Sequence, residues 1–337
     1  MKKLCFLSLL LSTFFYSQKV KIDTLLTDKI SIRAIQIWNG KVWYAGTDSK
    51  FGFVNMKDKS DKKQIIISEK KLEFRTLAQN KNYFYTINIE SPAYFFKINK
   101  KTLGSEIFYT DSAKTAFYDS FVIQSKNLGI AISDPSEDGF PRFFNFNNNK
   151  NYEVLNYPKY DKGEAHFAAS NTNVATYKDE VWIATGGAKA RIFKFNWGNP
   201  YQWDAFETPF IQGTTSQGIY SIDFYDENFG IAVGGDYTKQ ADNSNNIATT
   251  SDGGRTWEIQ ASGQNAGYMT CVKFRPKTKG KEIAAVGDQH ISFSSDYGKT
   301  WTKISDEKNL YACEWADNNT LILAGKDKII RLKFSDK

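Results

Sequence analysis

TTSDGGRTW, residues 249–257, returns as FSSDYGKTW at 293–301. Both copies follow Ser/Thr-x-Asp-x-Gly-x-Thr-Trp: Thr250, Asp252, Gly254, Thr256 and Trp257, then Ser294, Asp296, Gly298, Thr300 and Trp301. The two aspartates stand 44 positions apart, which sets the length of the repeating unit. An Asp followed two residues later by Gly suits a tight reversal, because the carboxylate accepts turn N–H groups and Gly tolerates positive φ. Thr then restarts a strand, and Trp offers a large apolar face. Short strands repeating every 40 to 50 residues or so indicate blades arrayed about an axis, a β-propeller.

Outward from these turns the same frame recurs. AIQIWNGKVWYAGTD (34–48), SIDFYDENFGIAVGGD (221–236), CVKFRPKTKGKEIAAVGD (271–288) and ACEWADNNTLILAGKD (312–327) each read as strand, polar turn, apolar strand and Gly/Asp turn. SFVIQSKNLGIAISD (120–134) fits as well, and TLAQNKNYFYTINIE (76–90) and NVATYKDEVWIATGG (173–187) match more loosely. Third strands follow, such as FGFVNM (51–56), RIFKFN (191–196) and IIRLKF (329–334). NFNNNKNY (145–152) and KFNWGNPYQW (194–203) read as worn copies of the turn, with Asn in place of Asp. Residues 19–337 divide into seven units of about 45 residues. The expected fold is all-β, one domain: a seven-bladed β-propeller of four-stranded antiparallel blades. The last unit carries three strands, so VKIDTLL (20–26) is expected to complete the last blade and close the ring.

The N-terminal MKKLCFLSLLLSTFFYSQ joins two lysines to an apolar run and a small residue near Ser17, the pattern of a signal peptide over 1–18. The run is short for a membrane span, and no second one approaches that length. The expected product is a soluble, exported monomer, periplasmic or extracellular after cleavage. Loss of Lys2 and Lys3 lowers the formal charge from +7 to +5, and that charge is spread without a dense basic block. Nucleic acid is therefore not an expected partner. Of 3 cysteines, Cys271 and Cys313 survive processing. Cys313 falls one step later in its frame than Cys271, on the opposite strand face, so both are expected as buried small hydrophobes without a bridge.

The frame also places the residues near the axis. The first strands begin with Ala34, Thr76, Ser120, Asn173, Ser221, Cys271 and Ala312, all small, as crowding at an axis requires. Asp48, Glu90, Asp134, Asp236, Asp288 and Asp327 occupy equivalent turns between second and third strands. They suggest an acidic rim for a cation or hydroxyl-rich ligand, although Asp after Gly also serves simply to stabilise a turn. Features that do not repeat are more informative. KGEAHFAAS (162–170) carries Glu164 and His166, and ISDPSEDGFP (132–141) and AVGGDYTKQADNSNN (232–246) are long insertions at equivalent turns. Long loops on one face are common ligand sites, so Asp134, Asp138, Glu164, His166, Asp236 and Tyr237 are expected to converge. The histidines His166 and His290 are isolated and no CxxC or HExxH occurs, so no metal site is expected; no dinucleotide fingerprint supports a cofactor.

The repeated turn resembles the Asp-box, or BNR repeat, of sialidase-like and sortilin-like propellers. That resemblance implies that the box joins third and fourth strands on the side away from the binding face. It gives Asp252, Gly254, Trp257, Asp296, Gly298 and Trp301 structural roles. FYDSFVIQSKNLGIAISDP (117–135), GEAHFAASNTNVATYKDEVWIATGGAKARIF (163–193) and QGIYSIDFYDENFGIAVGGDY (217–237) are similar to photosystem II stability/assembly factor-like propellers. They are similar too to exported proteins labelled as BNR glycosidases or oxidoreductases, and more loosely to WD40/YVTN repeats. This implies a binding or assembly scaffold. A sialidase-like hydrolase requires three arginines for the substrate carboxylate. Arg33 and Arg75 share a register, each one residue before the small axial position, and are expected binding residues, but Tyr220, Thr270 and Tyr311 supply no third. The expected function is non-enzymatic binding of a protein or glycan on the long-loop face. The alternative is a glycan hydrolase using paired carboxylates such as Glu164 and Asp236.

Overall fold

The computed structural model describes residues 20–124, 128–147, 150–151 and 157–335. The expected signal peptide at 1–18 lies outside the described residues, as does part of the worn turn at 145–152. Among the described residues the elements are all β-strands, and no helix is long and apolar enough to cross a membrane. The strands form antiparallel sheets, four of them four-stranded and two six-stranded, making six blades rather than the expected seven.

The count differs because one strand does the work of two. Val20–Trp38 is continuous over 19 residues. Its first part pairs with Thr320–Phe334, from Val20 opposite Phe334 to Ser31 opposite Lys326. Its second part pairs with Lys41–Gly46, from Ile32 opposite Gly46 to Trp38 opposite Lys41. Between the two parts, irregularities at Thr24/Leu26 and Thr27/Ser31 bend the strand without ending it. Thr320–Phe334 likewise runs on through Asp327, whose φ is 63°. The strands expected as a separate last blade are thus fused with the first in one sheet. Its order is Leu310–Trp315, Thr320–Phe334, Val20–Trp38, Lys41–Gly46, Lys50–Asn55, Lys62–Ile66.

The spaces between blades are filled by aromatic and aliphatic side chains from facing sheets. Trp43 meets Phe84 of the next sheet with ring centroids 4.6 Å apart, and Phe95 meets Phe144 at 4.6 Å. Trp182 stacks on Phe224 at 3.7 Å. Each large ring buried this way contributes about 2–3 kcal/mol of transfer free energy. With Phe, Tyr and Trp at 15% of the chain, this packing carries the fold without covalent staples.

The two copies of the repeated turn have one geometry. In the first, Asp252 Oδ1 accepts from Thr250 Oγ1 (2.8 Å) and Thr256 N (3.0 Å), and Oδ2 from Thr256 Oγ1 (2.6 Å). In the second, Asp296 accepts from Ser294 Oγ (2.9 Å), Thr300 N (2.9 Å) and Thr300 Oγ1 (2.7 Å). Gly254 and Gly298 sit at φ 90° and 84°, and each following Trp donates Nε1–H to its glycine's carbonyl. The first turn joins Ile247–Thr250 to Glu258–Ile259 and the second joins His290–Ser294 to Thr302–Ser305, in each case the last two strands of the sheet. Strand alternation therefore puts them at the end opposite the turns that hold Asp134, Asp236 and Asp288.

The small axial residues Ala34, Thr76, Ser120, Asn173, Ser221, Cys271 and Ala312 are all buried. Hydrogen bonds knit neighbouring sheets there: Thr270 Oγ1 donates to Tyr311 O (2.7 Å), and Val272 N donates to Ser221 Oγ (3.0 Å). A segment the sequence does not present as axial crosses this region. Arg33 Nη1 donates to Ala169 O (3.2 Å), Ser170 Oγ to Thr270 O (2.6 Å) and Thr172 Oγ1 to Ser221 Oγ (2.7 Å). Asn171 reaches the other side, donating to Leu77 O (3.1 Å) and accepting from Phe121 N (2.8 Å). The stretch 168–172 is a plug tied to strands all round the axis.

Candidate functional site

The plug separates two clefts. Ala165–Ala169 line one of about 450 Å³, and Ser170–Thr172 line another of about 210 Å³. Along the strand Val20–Trp38, Arg33 lines the first while Ile35 and Gln36 line the second, so the clefts lie on opposite sides of the plug.

The larger cleft is built from the register that precedes the small axial positions. Arg33, Arg75, Tyr220 and Thr270 all line it, and Tyr311, the next in that register, lies under the Arg33 guanidinium at 4.1 Å. Arg75 is held by Glu73 Oε1 (2.7 Å) and by Ala168 O (3.4 Å). Arg33 has the Ala169 carbonyl, and its Nε is buried without a partner. Burial, and then the like charge of Arg75, disfavour the Arg33 cation. A bound anion would offset both effects.

Three tyrosines also line the cleft. Tyr220 stacks on Phe167 of the plug (3.9 Å between centroids, 4° between planes) and meets Tyr268 edge-on at 4.8 Å. Its hydroxyl donates to Ser216 O (2.8 Å), so the ring is fixed. Tyr237 is 52% exposed at the rim. It belongs to the 232–246 insertion, which packs onto the cleft through Gln240: its Nε2 donates to Asp288 Oδ2 (2.9 Å) and its carbonyl accepts from Tyr268 N (3.0 Å).

The acids divide into two kinds. Asp134 lines the cleft, accepts the His166 backbone N–H at 2.9 Å, and is pushed up to about 6 by burial. Asp288 also lines it and is raised by burial, against the pull of Gln240 and Arg33. Asp119, in register with Arg33 and Arg75, is fully buried; burial and the Asp134 charge raise its carboxyl well above the usual range, with Arg75 opposing. Asp236, by contrast, is tied into its own turn by Thr238 Oγ1 (2.6 Å) and Thr238 N (2.9 Å). Asp138 is an exposed turn residue bonded to Ser136 Oγ and Phe140 N. Glu164 is wholly buried and saturated by Arg191 (2.5 and 3.1 Å), Thr185 Oγ1 (2.6 Å) and Asp161 N (2.9 Å).

His166 lines the cleft as a fixed neutral ring. Nδ1 donates to Ala184 O (3.1 Å), Nε2 accepts from Tyr160 O–H (3.1 Å), and burial lowers its pKa to about 4. Of the eight residues expected to bind, the structure brings together Arg33, Arg75, Asp134, His166 and Tyr237, and holds Asp138, Glu164 and Asp236 in local structure. Tyr220, Tyr268, Asp288 and Gln240 complete the cleft. Tyr220 and Asp288 were visible as members of repeating registers; Tyr268 and Gln240 carried no such signal. The remaining rim acids Asp48, Glu90 and Asp327 do not line this cleft. Among the described residues no three His, Cys, Asp or Glu side chains gather as a metal-holding group.

No family model and no curated protein matches the chain. Solved structures do. YCF48 bound to D1 peptide superposes with a TM-score of 0.65 at 12% identity, covering 94% of this chain and 97% of that one. The WD40 repeats of RRP9 give 0.66 at 10% identity, over 93% and 97%. The WD40 β-propeller domain of Doa1 gives 0.62 at 12%, over 95% and 98%. At these identities the likeness establishes the fold alone. This chain is a β-propeller.

Proposed function

We propose that this protein is an exported, monomeric scaffold that binds a protein partner, taking an acidic segment of it into the Arg33–Arg75 cleft. The carrying observation is the pairing of two guanidiniums with a wall of Tyr220, Tyr237 and Tyr268. Arginines and aromatics make the strongest anchors at protein interfaces, since they combine charge-assisted hydrogen bonds with large rigid contact area. Arg33 lines the cleft with one hydrogen bond to the Ala169 carbonyl, leaving guanidinium N–H groups for a carboxylate. That a structural neighbour was solved with a peptide bound is consistent with this reading, and the apolar run at 1–18 supports export.

A peptide array tests it, probing the protein beside an Arg33→Ala/Arg75→Ala variant. Acidic peptides are expected to bind the parent and to lose about tenfold or more in the variant. Equal binding by both proteins would overturn the reading. The hydrolase reading keeps one specific support, that Asp134 and Asp288 line the same cleft with raised carboxyls. Turnover of chromogenic glycosides, lost in Asp134→Asn, would favour it instead.

A further inference from the structure

Cys271 and Cys313 do not point apart, as their places in the frame suggest. The two first strands, from different sheets, bring them face to face, and their sulfurs are 3.6 Å apart. Both are free and buried. They belong to different blades: Cys271–Phe274 opens one sheet and Leu310–Trp315 another. The contact is reciprocal, since Cys313 N–H donates to Cys271 Sγ at 3.4 Å and the Cys271 thiol reaches Cys313 O at 3.6 Å. Thr172 Oγ1 of the plug, whose proton goes to Ser221 Oγ, lies 3.7 Å from Cys271 Sγ.

We propose that Cys271 and Cys313 are a dithiol that oxidises to a disulfide, a covalent staple between two blades beside the axial plug. The smaller cleft, which Cys313 lines together with Lys273 and Glu314, is the route by which a small oxidant reaches the pair. Two donors point at the Cys271 sulfur, the Cys313 thiol and the Cys313 N–H, and the Thr172 hydroxyl lies beside it. Although burial opposes ionisation, they and Lys273 lower its thiol to about 7, while the Cys313 thiol is held well above its ordinary value by the hydrogen bond it shares with Cys271. Because the Cys313 N–H and thiol both point at the Cys271 sulfur, the thiolate forms on Cys271, which is the nucleophile, and Cys313 is the resolving thiol.

With hydrogen peroxide as oxidant, the Cys271 thiolate attacks one peroxide oxygen and the O–O bond breaks. This leaves a sulfenic acid on Cys271 and, with the thiol proton, one water. The Cys313 sulfur then attacks the Cys271 sulfur, the S–O bond breaks, and the hydroxyl leaves as a second water with the Cys313 proton. Two thiols are oxidised and one peroxide is reduced.

The test treats the folded, reduced protein with hydrogen peroxide, then quenches, denatures and blocks free thiols for peptide mapping. The expected result is a peptide pair linked through Cys271 and Cys313. It should be accompanied by the loss of two titratable thiols and a midpoint of thermal unfolding raised by about 5 °C, reversed by a dithiol reductant. In Cys313→Ser the linked pair and the shift should both be absent. If that variant fails to fold, Cys271→Ala serves the same purpose. Two free thiols persisting at peroxide levels that oxidise the denatured chain would overturn the proposal. So would sulfinic acid on either residue without a crosslink, or a disulfide formed only between molecules.

Discussion

His166 and Asp134 touch through one hydrogen bond and respond to pH in opposite ways. His166 titrates at about 4 in the fold against 6.5 ordinarily. Between those values the unfolded chain takes a proton that the fold refuses, so this contribution is complete above 6.5 and lost as pH falls toward 4. Asp134 is raised from 3.8 to about 6. Its contribution is present below 3.8 and lost as pH rises through 6. Asp134→Asn retains an acceptor for the His166 N–H and removes the buried charge. It should match the parent in urea melts near pH 4 and exceed it at pH 8, by about 3 kcal/mol at most. A variant less stable at pH 8 would contradict the burial argument. Glu164 is a different case. Glu164→Gln strips the buried Arg191 of its bidentate partner and should cost about 3 kcal/mol. Because Glu164 lies outside the cleft, peptide affinity should be unchanged at temperatures where the variant is folded.

At the scale of elements, the repeated turn was fully legible. Its Asp, Gly, Thr and Trp have fixed local jobs, and both copies perform them with the same donors. Asp252→Ala and Asp296→Ala should each cost about 1–2 kcal/mol in denaturant melts and add when combined, since the turns are separate. Gly254→Ala should cost more than either. Its φ of 90° is strained for any side chain, and a Cβ there comes 3.1 Å from the Trp182 ring. The register before the axial positions was also legible, because a period-locked position keeps its direction in each blade. That register located Arg33, Arg75 and Tyr220. The plug was not legible: HFAAS at 166–170 was visible only as an exception to the repeat, and its contacts with Thr270 and Leu77 lie far away in sequence. The insertions were ambiguous for the same reason, one bringing Tyr237 and Gln240 to the cleft and the other leaving Asp138 outside it.

For the whole molecule, repeat length announced a ring of blades but not how many separate sheets it contains. Hydrogen bonding decides that, and a strand can carry an irregularity in place of a turn, as Val20–Trp38 does. Its first part pairs along Thr320–Phe334 and its second along Lys41–Gly46, so it holds the two groups of strands in one sheet. Deleting residues 20–27 exposes the Ile329, Ile330 and Leu332 strand along a whole edge. Loss of cooperative unfolding, or aggregation on heating, is the expected outcome; an unchanged melt would mean that the pairing contributes little.

A carboxylate on a partner peptide is the proposed ligand of the Arg33–Arg75 cleft. A double-mutant cycle tests it most directly, using titration calorimetry with an array-selected acidic peptide. Arg75→Ala is one mutation, and replacement of the peptide's carboxylate by its amide is the other. A coupling of about 1.5 kcal/mol or more between the two changes is expected. Additive losses, with no coupling, would place the carboxylate elsewhere and contradict it.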